Sequence, residues 1–91
     1  MRYVIVYDIV DDKRRARVAR LLESVGERVQ WSVFEADWDE ATLARVRERL
    51  GRLIDPAADG VRIYRLCGEC ARQTQMLGQS RPVEPPGLLV I

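Results

Sequence analysis

Residues 2–9, RYVIVYDI, constrain the fold more than any other stretch of the chain. They hold no proline or glycine, are rich in β-branched and aromatic side chains, and carry a single carboxylate, Asp8, near their end. Such a run reads as a strand covered on both faces, so the remainder of the 91-residue chain has to supply the cover. The next segment is suited to that. Asp11 or Asp12 caps a helix over roughly residues 12–25, where Val18, Leu21, Leu22 and Val25 recur at i, i+3, i+4 and i+7 as a buried stripe. Gly26 ends this helix.

The stretch ERVQWSVFEADW, residues 27–38, is too long for one average strand. It reads as a tight hairpin, Arg28–Gln30 and Val33–Asp37, turning at Trp31 and Ser32; one long bent strand is the alternative. A second helix is expected from about 39 to 54, with Leu43, Val46, Leu50 and Leu53 on one face and Asp37 or Asp39 as cap. DPAADG, 55–60, is a loop, and VRIYRL, 61–66, alternates as a strand. The order β-α-β-β-α-β is that of an α+β, ferredoxin-like fold, with both helices on one face of an antiparallel sheet.

A chain this short makes a single domain, residues 1–91, with a thin core. Residues 67–86 are polar and punctuated by proline and glycine, and read as a linker or irregular tail. The chain then closes on Leu88, Leu89, Val90 and Ile91. Four bare apolar residues at a free end invite aggregation, so residues 87–91 are expected to add an edge strand to a sheet. The thin core favours the sheet of a partner subunit.

Composition narrows the chemistry. With 47% hydrophobic and 32% charged residues the chain belongs to the ordinary folded class. No apolar run approaches the ~20 residues that span a bilayer, and no leader pattern opens the sequence, so a cytoplasmic location with no membrane partner is expected. Of the 15 cations all are arginine except Lys13. The planar guanidinium fork suits phosphate, although a high-GC genome or a thermophile's surface ion pairs account equally for such a bias. Histidine is absent altogether. That excludes Ser-His-Asp and Cys-His nucleophile systems and every histidine-ligated metal site.

Asp8 carries two readings. It caps a turn or pairs with Arg14 or Arg15 across the strand–helix loop; or it ligates a hard divalent cation such as Mg²⁺, which prefers oxygen and needs only one or two carboxylates. A two-fold axis that brought two copies together would make the second site adequate. Asp11 and Asp12 read as helix caps. Lys13, Arg14, Arg15, Arg17 and Arg20 form either a solvated helix face or a phosphate-binding one, with Arg14 and Arg15 nearest Asp8. Cys67-Gly-Glu-Cys70 offers too few ligands for zinc and does not match a thioredoxin-like motif, which opens a helix after a strand within a βαβ unit, so it reads as an adventitious thiol pair. Trp31 and Phe34 read as core or interface aromatics, since the glycine-aromatic signature of base-stacking RNA-recognition sheets is missing.

Two blocks, YVIVYDIVDDKRRARVARLL and GERVQWSVFEADW, together covering residues 3–38, resemble the CRISPR-associated protein 2 family, the small partner of the integrase in spacer acquisition. The second helix and RIYRL follow in that family's order. The resemblance implies a ferredoxin-like homodimer whose C-terminal strand extends the other subunit's sheet, which gives LLVI a place. It also implies that Asp8 faces its symmetry mate and shares a divalent metal, Mg²⁺ or Mn²⁺, as the catalytic and metal-binding residue. Tyr7 stands beside the metal, Phe34 lies in the hairpin, and Arg15, Arg17 and Arg28 are carried over as nucleic-acid contacts, to which Arg14 is added by position. The implied function is a metal-dependent endonuclease on single-stranded RNA or double-stranded DNA. The alternative is a non-catalytic DNA-bridging subunit of the integrase assembly, and a scaffold dimer without nucleic acid is a third reading. Cys67 and Cys70 lie outside the family's motif, which leaves the path of residues 67–86 open.

Overall fold

The computed structural model describes residues 1–78. Its elements run β1 (Arg2–Asp8), α1 (Asp12–Val25), β2 (Glu27–Gln30), β3 (Val33–Asp37), α2 (Glu40–Leu53), β4 (Gly60–Leu66) and α3 (Gly68–Arg72). The strands form one antiparallel sheet in the order β2-β3-β1-β4, with β1 paired to both β3 and β4. This is the expected α+β, ferredoxin-like arrangement, and the hairpin reading of residues 27–38 holds over the single bent strand. The terminal strand expected at Leu88, Leu89, Val90 and Ile91 lies outside the described residues, as do residues 79–86.

Alternation along β1 sends Tyr3, Ile5 and Tyr7 beneath the helices, all nearly fully buried. They meet Val18, Ala19 and Leu22 of α1, Phe34 and Ala36 of β3, and Val46 and Leu50 of α2. Leu21, Val25, Leu43 and Leu53 pack at the edge of this core rather than in its centre. Trp38 closes one end: its ring stacks on Tyr3 at 5.6 Å between centroids, and its indole N–H donates to the Val25 carbonyl at 2.8 Å. Among the described residues neither long helix lies on the opposite face of the sheet. There Val4, Val6 and Val33 are only half-buried and Tyr64 is exposed. Within the described residues of one chain β1 is thus fully covered on one side and half-covered on the other, because both long helices lie on the same face.

Local chemistry explains the boundaries. Asp11 and Asp39 are the N-caps, accepting the Arg14 and Thr42 backbone N–H groups at 2.9 and 2.8 Å. Gly26 does end α1, but through space rather than left-handed backbone. Its φ is −160°, and a Cβ there would stand 2.8 Å from the Glu35 carbonyl oxygen. The edge strand β2 is short, exposed and shifted in register between Arg28 and Gln30, features that discourage further pairing. A correction comes after β4. Residues 68–72, expected within an irregular tail, make a short helix whose N-cap is Cys67, the sulfur accepting the Cys70 N–H at 3.4 Å.

Candidate functional site

β1 delivers Asp8 to the end of the sheet, opposite Gly60 of β4. Glycine presents no side chain there, and the Asp8 carboxylate is exposed. Among the described residues it makes no side-chain hydrogen bond and no ion pair, so the pairing with Arg14 or Arg15 that the sequence allows does not occur. Asp8 borders a cavity of about 530 Å³, whose walls include Tyr7, Arg15, Ala19, Arg28 and Trp31. Tyr7 is buried beneath it and stacks on Phe34 with 6.2 Å between ring centroids. The Tyr7 hydroxyl donates to the Trp31 carbonyl at 3.2 Å, and the Tyr7 backbone N–H to the Ser32 carbonyl at 3.1 Å. The hairpin turn is thereby tied to the strand that carries the carboxylate.

The cations that the sequence groups together are divided by the fold. Arg15 is at the cavity, where one amino group donates to the Ile9 carbonyl at 2.9 Å and the other is paired with Asp12. Arg28 reaches the same cavity from β2, its guanidinium 5.2 Å from the centroid of the buried Phe34 ring. Arg14 turns elsewhere. Its fork meets Asp59 through two bonds of 2.8 and 3.2 Å, and Asp59 also accepts the backbone N–H groups of Val10 and Asp55. With four donors and a fully sequestered side chain, the Asp59 carboxyl is held well below the usual carboxylate range, chiefly by Arg14. Arg14 is thus a structural latch between the start of α1 and the loop before β4. Arg17 stands apart as well. With Arg20, Arg49 and Arg52 it lines a groove of about 450 Å³ between α1 and α2. Of these four, only Arg52 has an acidic partner among the described residues, Glu48.

Sequence reasoning did not find the Asp59 latch or the second arginine groove. Each joins residues far apart in the chain, and no local pattern marks them. It also set aside the Cys67/Cys70 pair because a thioredoxin-like motif opens a helix within a βαβ unit; a short helix does follow β4, but no strand follows that helix among the described residues. Both thiols are free and exposed. The N–H of Cys70 draws the Cys67 thiol below its ordinary range, and proximity to Cys67 pushes Cys70 up. Among the described residues no group of three or more metal-ligating side chains is assembled, and no helix is long and apolar enough to cross a membrane.

Comparison with known proteins places this arrangement. A protein from Chloroflexus aurantiacus named CRISPR-associated endoribonuclease Cas2 1 is 46% identical over 85 residues, spanning 92% of this chain and 91% of its own. The crystal structure of Streptococcus pyogenes Cas2 superimposes with a TM-score of 0.76 at 34% identity, covering 86% of this chain and all of the other. A chain of a partial Cas6-RT-Cas1–Cas2 complex aligns at a TM-score of 0.70 and 29% identity, over 84% of this chain and 89% of its own. The family model described as CRISPR associated protein Cas2 matches residues 1–74, the whole of the sheet with both long helices. The unpaired carboxylate at the end of β1 therefore sits in a chain that belongs to the CRISPR-associated protein Cas2 family.

Proposed function

We propose that this protein is a homodimeric, divalent-metal-dependent endonuclease that hydrolyses phosphodiester bonds at Asp8 and works beside the Cas1 integrase in CRISPR spacer acquisition. The observation that carries the reading is the state of Asp8. A carboxylate at the end of a central strand, exposed, unpaired and flanked by Arg15 and Arg28, has its oxygens available to a ligand. The nuclease name of the Chloroflexus relative and the presence of Cas2 in a complex with Cas1 support the same role.

The second subunit is supported by the bare face of the sheet. By alternation Asp8 shares that face with Val4 and Val6, so a copy packed there would bring two Asp8 side chains together. Of the two carboxylates that line the cavity, Asp12 is paired with Arg15, so one chain brings only Asp8, too few ligands to hold a cation alone; two such oxygen donors suit a hard ion such as Mg²⁺ or Mn²⁺. When bound, the ion would supply Lewis-acid activation of water and neutralise charge on the phosphate. The chain's own part is electrostatic. Arg15 and Arg28 bind the phosphodiester and stabilise the negative charge that develops on it, and Tyr7 with Phe34 fixes the strand and hairpin that carry them.

The test compares wild type with Asp8→Asn on single-stranded RNA and on duplex DNA, with Mg²⁺, with Mn²⁺ and with chelator. Cleavage that needs the metal and vanishes in Asp8→Asn, with the dimer intact in solution, is the expected result. Undiminished cleavage by that variant would sink the assignment. A second reading, a DNA-bridging role without catalysis, is favoured by the groove at Arg17, Arg20 and Arg49, cations with no acidic partner among the described residues and on the helix layer. Integration by Cas1 with the Asp8→Asn protein, if as efficient as with wild type, would favour bridging.

A further inference from the structure

Trp31 is 87% exposed, whereas the chain's other tryptophan, Trp38, is 4% exposed and hydrogen-bonded. An indole left bare at a turn is unusual, because it forgoes the burial that a ring of this size normally finds. The turn that holds it is not loose. Tyr7, itself buried, holds the backbone of the turn, its hydroxyl donating to the Trp31 carbonyl and its N–H to the Ser32 carbonyl, and Tyr7 is in turn stacked on Phe34. Trp31 also lines the cavity that Asp8 borders, with Arg15 and Arg28 in the same wall. Ala16 and Ala19 of α1 line it too, so the cavity reaches from Asp8 at the end of the sheet to the rim of the helix layer, where Trp31 stands.

We propose that Trp31 is a base-stacking platform that holds an unpaired nucleotide beside Asp8, and is the residue through which the cavity tells single strands from duplexes. The inference rests on the nuclease reading for what happens next to Asp8, but stacking itself needs no cleavage. An aromatic side chain on an anchored backbone accepts any base, and the two guanidinium groups in the same cavity suit the flanking phosphates. Inside a duplex both faces of each base are already stacked on neighbours, so only single strands, loops and frayed ends can use the ring.

The test uses the Asp8→Asn protein, so that binding is read without cleavage, with a twelve-nucleotide single-stranded RNA and the same sequence as a duplex. The single strand is expected to quench the tryptophan emission. Trp31→Ala is expected to abolish the quenching and weaken single-strand binding by about tenfold, while duplex binding changes less than about twofold. Trp31→Phe is expected to restore most of the lost affinity, and both variants to melt with the parent. Equal losses on both probes, no loss, or no binding of either probe would overturn the inference. So would an emission that tracks protein concentration rather than RNA, which would put a second copy of the chain over the ring. Cleavage by wild type alongside unaffected single-strand binding by Trp31→Ala sinks the platform and leaves the nuclease standing. Stacking without cleavage in wild type does the reverse.

Discussion

Two aspartates occupy the same end of the sheet and have opposite fates. Asp8 closes β1 opposite Gly60, and Asp59 immediately precedes that glycine in the chain. Asp59 accepts four hydrogen bonds, two of them from Arg14, and its side chain is sealed from solvent. Asp8 accepts none among the described residues and faces water. A carboxylate with every lone pair engaged holds structure together, whereas one left open beside Arg15 and Arg28 can take a ligand. The same division runs through the arginines: Arg14 is spent on the latch, while Arg28, lying over the Phe34 ring, donates no hydrogen bond among the described residues.

Substitutions should separate the two aspartates cleanly. Asp8→Asn is expected to lower metal-dependent cleavage by about 100-fold or more while leaving stability within about 0.5 kcal/mol of wild type, read by denaturant unfolding. Asp59→Asn should do the converse. Its melting temperature is expected to fall by several degrees, because Arg14 loses its counter-charge, while cleavage per folded molecule is retained below the transition. If Asp59→Asn instead removed activity at unchanged stability, the distinction between the two sites would break.

Acid sharpens the contrast. Because the folded-state pKa of Asp59 is depressed, the unfolded chain binds the proton more readily than the folded one. The latch therefore contributes fully above the ordinary aspartate pKa of about 4, and its contribution is lost as pH falls through the lower folded value. Unfolding followed from pH 5 downward should show wild type losing stability more steeply than Asp59→Asn. The smallest effect is expected from the cations. Arg28→Ala should reduce the dependence of log K on log salt for nucleic-acid binding by about one, and Arg14→Ala should leave that slope unchanged once the variant's folded fraction is matched.

Most of the architecture was legible because its signals are local. The Tyr3, Ile5, Tyr7 alternation, the stripe through Val18 and Leu22, and the caps at Asp11 and Asp39 each act within a few residues, and the elements begin and end close to where those signals lie. Asp8 was legible as a candidate because a lone carboxylate ends a run of apolar residues. Its freedom from Arg14 was not, since the competitor Asp59 is 45 residues away in a stretch that reads only as a loop. The division of Arg15 from Arg17 was equally hidden, because it depends on where α2 places Arg49 and Arg52. Trp31 looked like a core or interface ring by composition. Only the placement of the two-residue turn puts it outside.

The unroofed side of the sheet carries a consequence for how such a molecule can change. Val4 and Val6 alternate with Tyr3, Ile5 and Tyr7 along one seven-residue strand, and Asp8 is its last residue. A one-residue insertion or deletion in that strand would send its buried side chains outward, its half-buried ones inward and turn Asp8 over at the same time. Drift is left to the hairpin turn and the outward side of the helices, where new preferences for what is bound can arise while the strand itself stays put.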